Sequence, residues 1–370
     1  MDKKIGIYVH VPYCGAKCAY CDFYSVCSLK TADDYTSAVI RELKKFSCLY
    51  HKTADTLYFG GGTPTLIGAE CLAEITATVK KNFGLLQDCE VTCETNPEQG
   101  TFELFSALKQ LAGINRLSIG MQSADETELK ILGRRHCAPD VAKCVAQACR
   151  AGIDNISLDI MLGIPGQTPE SLIRTVDFAA SLEITHISAY ILKIEPRTKF
   201  YKLQSEGKLM VPDDDRVSDM YLTAAEILEK YGYIQYEISN FAKEGFESRH
   251  NLKYWNAQEY LGVGAAAHSF MEGKRFYYEN SISRFVSGCA PVSEGKGGDF
   301  TEYAMLRLRL NEGLLEEQVK SRFGFAIPDK LRNRARELEK YGLVEQNRDR
   351  VALTKTGFLV SNEILSQLLL

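Results

Sequence analysis

The sequence predicts an α/β fold: an incomplete six-unit (β/α) barrel followed by a smaller α-rich, winged-helix-like C-terminal domain. Three observations carry that expectation. Short apolar strands alternate with amphipathic helices between Ile5 and Leu192, the pattern of parallel βα units. The stretch covers roughly 190–200 residues, fewer than a full eight-unit barrel needs. The polar residues with chemical potential fall at strand ends, where such a barrel places its site. A doubly wound open sheet is the alternative arrangement of the same units.

The first strand is expected over 5–11 and leads into a loop rich in cysteine. Thr31-Ala-Asp-Asp34 has the form of a helix N-cap with acid in the first turn. Tyr35, Val39, Leu43 and Phe46 then fall on one helical face. A strand over 56–59 ends in Gly60-Gly61-Gly62-Thr63-Pro64. The next units read helix 69–81, strand 90–95, helix 101–111 and strand 116–121. Helix 140–151, strand 156–161, helix 169–182 and strand 186–192 complete the series. Thr168 and Pro169 suit the start of one helix, with a capping hydroxyl before Pro at its first position. A helix from Pro212 to about Tyr231 bridges to the second half.

Further on, helices are expected over 302–310, 314–322 and 329–341, with Gly342 as a stop. Residues 343–345 and 351–353 flank Asn347-Arg-Asp as a hairpin before a final helix, which makes the unit winged-helix-like. Lys330, Arg332, Arg334 and Arg336 are offset by Asp329, Glu337 and Glu339, so no basic face marks it as a DNA binder. The expected divisions are 1–235, 236–299 and 300–370.

The 370 residues are 45% apolar and 25% charged, ordinary values for a chain long enough to bury a large core. A net charge of -4 gives no reason to expect nucleic acid or an anionic membrane as partner. No apolar run approaches the roughly 18 residues of a membrane span. The first apolar run is too short for a signal peptide and leads straight into the cysteines. With 12 cysteines in the chain, a reducing, cytoplasmic location is therefore expected.

Cys14, Cys18 and Cys21 sit at spacings of four and three in the loop after the first strand. Three thiolates can hold three corners of a 4Fe-4S cluster that otherwise takes four. The open iron can be chelated by the amino and carboxylate groups of S-adenosylmethionine, whose reductive cleavage gives a 5′-deoxyadenosyl radical. A structural zinc site is the alternative, and it needs a fourth ligand. The nearest candidates are His10, on the strand, and Cys27, beyond the loop. The other cysteines are scattered and read as core or surface residues.

The stretch from Tyr8 to Cys21 resembles the radical S-adenosylmethionine (radical SAM) signature. Its Tyr-x-His-x-Pro is similar to the branch containing oxygen-independent coproporphyrinogen III oxidase. That branch carries one more cysteine two positions after the third. Here that position is Phe23, which points to the heme chaperone branch. The resemblance implies a barrel of radical SAM type with Cys14, Cys18 and Cys21 as cluster ligands. It places Gly60, Gly61, Gly62 and Thr63 at the methionine end of the cofactor, and Tyr20 near the adenine. It also assigns cofactor contacts to Tyr8, Glu94, Gln122, Arg134 and Asp159. By themselves, Gly60 to Pro64 read equally as a tight turn or as a close backbone approach to a ligand. Glu94 reads equally as a solvated turn residue, and Arg134 as an exposed helix charge. Arg134 and Arg135 are adjacent, so at most one is expected to point inward. His136 and His186 read as structural.

His250-Asn251-Leu-Lys-Tyr254-Trp255 holds the only tryptophan. Alone, a histidine near two aromatics reads as a packed core residue, although imidazole also ligates heme iron. The string is similar to the motif associated with heme in the chaperone branch, which makes His250 the leading heme contact and His268 the second choice. Small residues from Gly262 to Ala267 permit close approach, to a ligand or to the barrel mouth. The family has glycine near Ala266.

The resemblance thus implies a heme chaperone holding a 4Fe-4S cluster, S-adenosylmethionine and heme. Its partners would be an acceptor such as a respiratory protein and a small electron donor such as a flavodoxin or ferredoxin. Two enzyme readings stand beside it: oxidative decarboxylation of coproporphyrinogen III, and radical ring opening of heme.

Overall fold

The structure, a computed structural model, describes residues 4–369. Six parallel strands lie side by side in chain order: β1 (Lys4–Val11), β2 (Thr53–Gly61), β3 (Leu85–Thr95), β4 (Arg116–Gln122), β5 (Asn155–Leu162) and β6 (His186–Ile191). The helices between them are α1 (Ala32–Leu49), α2 (Gly68–Phe83), α3 (Phe102–Ala112), α4 (Glu126–Leu132), α5 (Ala138–Arg150) and α6 (Pro169–Ser181). Beyond β6 come α7 (Lys199–Ser205) and α8 (Asp214–Lys230). The antiparallel strands β7 (Ile234–Gln235) and β8 (Asn240–Ala242) then extend the sheet past β6.

The short helix α9 (Arg249–Trp255) precedes a second extension. Strand β9 (Tyr260–Val263) runs parallel beside β1, followed outward by β10 (His268–Met271), β11 (Lys274–Tyr277) and β12 (Val292–Lys296). Among the described residues the sheet therefore has 12 strands and stays open, an incomplete barrel rather than a closed one.

Parallel strands are usually apolar on both faces. Here they alternate. In β4, Leu117, Ile119 and Met121 pack outward into the core, while Arg116, Ser118, Gly120 and Gln122 line the interior. In β5 and β6, Ile156, Leu158, Ile160, Ile187 and Ala189 join the same core, leaving Ser157, Asp159, His186 and Ser188 inside. A polar barrel lumen is thus written into the period-2 pattern of each strand.

Several elements differ from the sequence reading. Strand β2 begins at Thr53 and takes in Gly60 and Gly61, so two of the three glycines are strand rather than turn. Helix α4 has only seven residues, too few for periodicity to reveal, and is set by the Asp125 carboxylate accepting from Thr127 and Glu128 N–H. Thr31 makes no capping bond; its hydroxyl pairs with Tyr13 OH at 2.9 Å. Thr168 does cap α6, accepting from Ser171 N–H at 3.2 Å, with Pro169 at the first helical position. The strands over 234–296 escaped notice because none exceeds five residues.

In the C-terminal part, the helices Phe300–Arg307, Glu316–Phe323 and Asp329–Glu339 surround a three-stranded antiparallel sheet. Its strands are β13 (Leu314–Leu315), β14 (Val344–Gln346) and β15 (Arg350–Leu353). Leu314 and Leu315, expected as the start of a helix, instead form the sheet's third strand. Two final helices, Lys355–Leu359 and Ser361–Leu369, close the unit.

Candidate functional site

A cavity of about 360 Å³ opens at the C-terminal ends of the strands and runs into the lumen. Cys14, Cys18, Tyr20 and Cys21 line it, together with Gly61, Gly62, Thr63, Glu94, Gln122, Arg134 and Asp159. The structure thus brings most of the sequence-predicted site residues to one space. Tyr8, Gly60 and His250 are not on its wall. Tyr8 lies behind, donating or accepting at His10 Nδ1 at 3.0 Å. Gly60 backs onto Glu94, where an added Cβ would come within 2.8 Å of the carboxylate. Arg134 and Arg135 both reach the cavity, against the expectation for adjacent residues; Arg135 does so from the exposed rim.

The cysteine loop is pinned from several sides. Cys14 N–H donates to Val26 C=O at 2.9 Å, Ala19 N–H to Leu132 C=O at 3.1 Å, and Phe200 N–H to Ala19 C=O at 3.0 Å. Burial raises the thiol pKa of Cys14 and Cys21. Among the described residues, no three His, Cys, Asp or Glu side chains converge tightly enough to hold a single metal ion.

The proposed fourth ligands for zinc are both engaged elsewhere or remote. His10 is buried with Nδ1 at Tyr8 OH and Nε2 at the Tyr24 carbonyl, 3.0 Å. Burial holds its pKa down at about 4. Cys27 is exposed and off the cavity wall. The donor set facing the cavity is therefore three thiols, which fits a cluster with one corner left for a small ligand.

Beside the thiols stands a polar chain. Arg134 donates to Tyr20 OH at 2.7 Å and to Asn96 Oδ1 at 2.5 Å; Asn96 Nδ2 donates to Thr63 Oγ1 at 2.9 Å. Gly62 has no room for a side chain, since a Cβ would sit 2.5 Å from the Tyr13 carbonyl oxygen. Gly61 adopts φ +107° and its N–H donates to Glu94 Oε2 at 3.0 Å. Tyr58 OH donates to the other carboxylate oxygen at 2.9 Å.

Burial pushes the Glu94 carboxyl up to about 7, against those two hydrogen bonds. Asp159, which accepts from Ser118 Oγ at 3.2 Å, is raised by burial as well. At the mouth, Gln122 holds φ +68°, a left-handed conformation that costs a non-glycine residue about 1 kcal/mol.

One pH dependence follows. Glu237, fully buried after β7, is likewise raised to about 7 by burial. Both carboxyls stay protonated in the folded chain up to that pH but ionise near 4.5 when unfolded. The unfolded state binds fewer protons at these two carboxyls in that interval, so their contribution to stability falls as pH rises from about 4.5 to 7, while the buried imidazoles His10, His186 and His250, held neutral by burial, act in the opposite direction. The slope is at most about 1.4 kcal/mol per pH unit for each group. Urea unfolding of the ligand-free protein isolates the Glu237 share as a difference: relative to wild type, Glu237→Gln should gain stability as pH rises from about 4.5 to 7.

The barrel's far end is sealed by α9. Glu90 of β3 accepts from the N–H groups of Arg249 and His250, each at 3.0 Å. Lys253 pairs with Asp55 at 2.8 Å. His250 is 1% exposed and both ring nitrogens are occupied, Nδ1 by Thr56 Oγ1 at 2.8 Å and Nε2 by Tyr254 OH at 2.7 Å. Burial keeps it neutral, with a pKa of about 3. Its neighbour Asn251 is the residue of that motif on the cavity wall.

His136 bonds the Met121 carbonyl, and His186 bonds Ser157 and Tyr236, both as structural residues. Gly264 packs against Tyr35 OH and the His10 carbonyl, a close approach to the first barrel strand. Ala266 holds φ +71°, the conformation a glycine takes freely. His268 is exposed beside Glu294 at 3.2 Å.

An incomplete barrel with three thiols and a glycine-backed carboxylate at its mouth is the arrangement expected of a radical SAM protein. Residues 8–179 match the model of the radical SAM superfamily, which implies a 4Fe-4S cluster and S-adenosylmethionine, and residues 300–360 match the HemN C-terminal domain. The fold resembles coproporphyrinogen III oxidase (HemN) from Escherichia coli with a TM-score of 0.84 at 20% identity, over 100% of this chain and 90% of that one. Identity to the heme chaperone HemW is 33% for Bacillus subtilis (strain 168), over 98% of each chain. It is 35% for Mycobacterium tuberculosis H37Rv, over 99% of this chain and 95% of that one. The chain belongs to the HemW family.

The sequence reading gave no role to Asn96, Tyr58, Arg116, Ser118, Ser188 or Tyr190, and named Asn251 only within its motif; all are on the cavity wall. Strand alternation was the available signal, since each of the strand residues shares a face with a residue already singled out. Among the described residues no helix is long and apolar enough to cross a membrane.

Proposed function

We propose that the chain binds heme and passes it to an acceptor protein, with a 4Fe-4S cluster on Cys14, Cys18 and Cys21 and S-adenosylmethionine in the adjoining cavity. Full-length likeness to curated heme chaperones carries this reading. Phe23 supports it: the ring lies on the cavity wall, 69% exposed, where the oxidase branch has a further cysteine.

When bound, the cluster and cofactor supply reductive cleavage of a sulfonium bond. This chain's residues bind and orient. Glu94 and the Gly61–Gly62 segment would hold the methionine end of the cofactor, with Arg134, Tyr20, Gln122, Asp159 and Thr63 around it. Tyr8 and Gly60 support the wall from behind.

His250 is the leading heme contact through its motif. Reaching iron requires it to exchange its bond to Thr56 or Tyr254. The cytoplasm, a respiratory acceptor and a flavodoxin or ferredoxin as electron donor complete the proposal.

An anaerobic assay of the reconstituted protein tests it, with heme and coproporphyrinogen III supplied separately. Stable heme binding with transfer to an acceptor, and unaltered porphyrin, is the expected result. Decarboxylated porphyrin or a linear tetrapyrrole overturns it.

A further inference from the structure

Arg116 opens β4 at the end of the lumen away from the cysteines, and it lines the cavity. It is 2% exposed, and its Nε is buried with no hydrogen-bond partner. Among the described residues no carboxylate forms an ion pair with its guanidinium. Glu94 and Asp159 feel its charge without touching it. The imidazoles beside it, His186 and His250, are both kept neutral, chiefly by burial. A buried guanidinium nitrogen without a hydrogen-bond partner is costly to hold in a protein interior, and the rest of the group borders the cavity. The guanidinium presents a planar fork of donors matched to a carboxylate. Asn251, Ser188 and Tyr190 bring further polar groups to the same wall.

We infer that Arg116 is the receptor for a carboxylate of a ligand that enters the lumen. Two sources carry that chemistry: the methionyl carboxylate of S-adenosylmethionine and a propionate side chain of a porphyrin. The inference deepens the function proposed above and rests on its ligands.

The test compares wild type, Arg116→Gln and Arg116→Lys as full-length, cluster-reconstituted protein. One arm sets heme against heme dimethyl ester; the other sets S-adenosylmethionine against its decarboxylated analogue. In the arm that matches the true source, wild type should prefer the acid. Arg116→Gln should lose that preference, with the acid's Kd rising tenfold or more, and Arg116→Lys should keep part of it. An acid preference in Arg116→Gln equal to wild type in both arms overturns the inference.

A second readout needs neither ligand. Because the charge has no partner to lose, Arg116→Gln should leave the ligand-free Tm no lower than wild type, and propionate should raise the Tm of wild type alone among these two. A lowered ligand-free Tm, or equal propionate shifts, makes Arg116 a structural counter-ion and overturns the inference. Wild type that binds neither heme nor S-adenosylmethionine, yet shows the Arg116-dependent propionate shift, sinks the function reading and keeps the carboxylate site.

Discussion

Replacing any one of Cys14, Cys18 or Cys21 with alanine should strip the anaerobically reconstituted protein of its iron, from about four atoms per chain to nearly none. The cavity wall offers three thiols and no fourth. A cluster that already lacks one protein ligand has nothing in reserve when it loses another. Cys27→Ala is the internal control. That thiol is exposed and away from the cavity, so iron and visible absorbance should match wild type. Iron retained in all three single variants would exclude this loop as the cluster site. Zinc at one atom per chain in the anaerobic wild type would exclude the cluster itself.

The barrel was legible because its signals are local and repeated. Each βα unit carries its own strand alternation and helix period, and a wrong boundary in one does not disturb the next. Thr168 and Pro169 fixed a helix start to the residue. The extensions at both edges were not legible for the opposite reason. Strands of two to five residues, such as β7 and β9, gain their order from the neighbouring strand rather than from propensity. Thr31 shows the same override: Tyr13 claims the hydroxyl that a capping bond would use.

The site divides along a similar line. Residues in the cysteine loop and the glycine run could be found because their types are unusual together. Asn96 and Arg116 are ordinary residues whose roles arise from convergence. Asn96 matters because Arg134, 38 positions later, and Thr63, 33 earlier, meet on it. Arg116 stands out only once the surrounding interior is seen to leave it without a partner.

His250→Ala should lower heme retention while leaving the cluster absorbance intact, and it should also destabilise the fold by about 2–4 kcal/mol. The stability cost follows from geometry. The ring is buried and its removal orphans Thr56 Oγ1 and Tyr254 OH while opening a void beside Tyr8 and Tyr58, whose rings lie 6.4 and 5.1 Å away. That cost alone could loosen any ligand in the lumen, so loss of heme from the alanine variant needs a partner measurement. His250→Gln keeps hydrogen-bonding capacity and most of the volume, and it should recover much of the stability. If His250 ligates iron, the glutamine variant still loses heme, and added imidazole restores the heme spectrum of the alanine variant by occupying the space left behind. If His250 only seals the barrel through Thr56 and Tyr254, the glutamine variant retains heme and imidazole changes nothing. Equal heme binding by wild type and both variants removes the assignment and leaves Asn251, the motif residue on the cavity wall, as the next position to change.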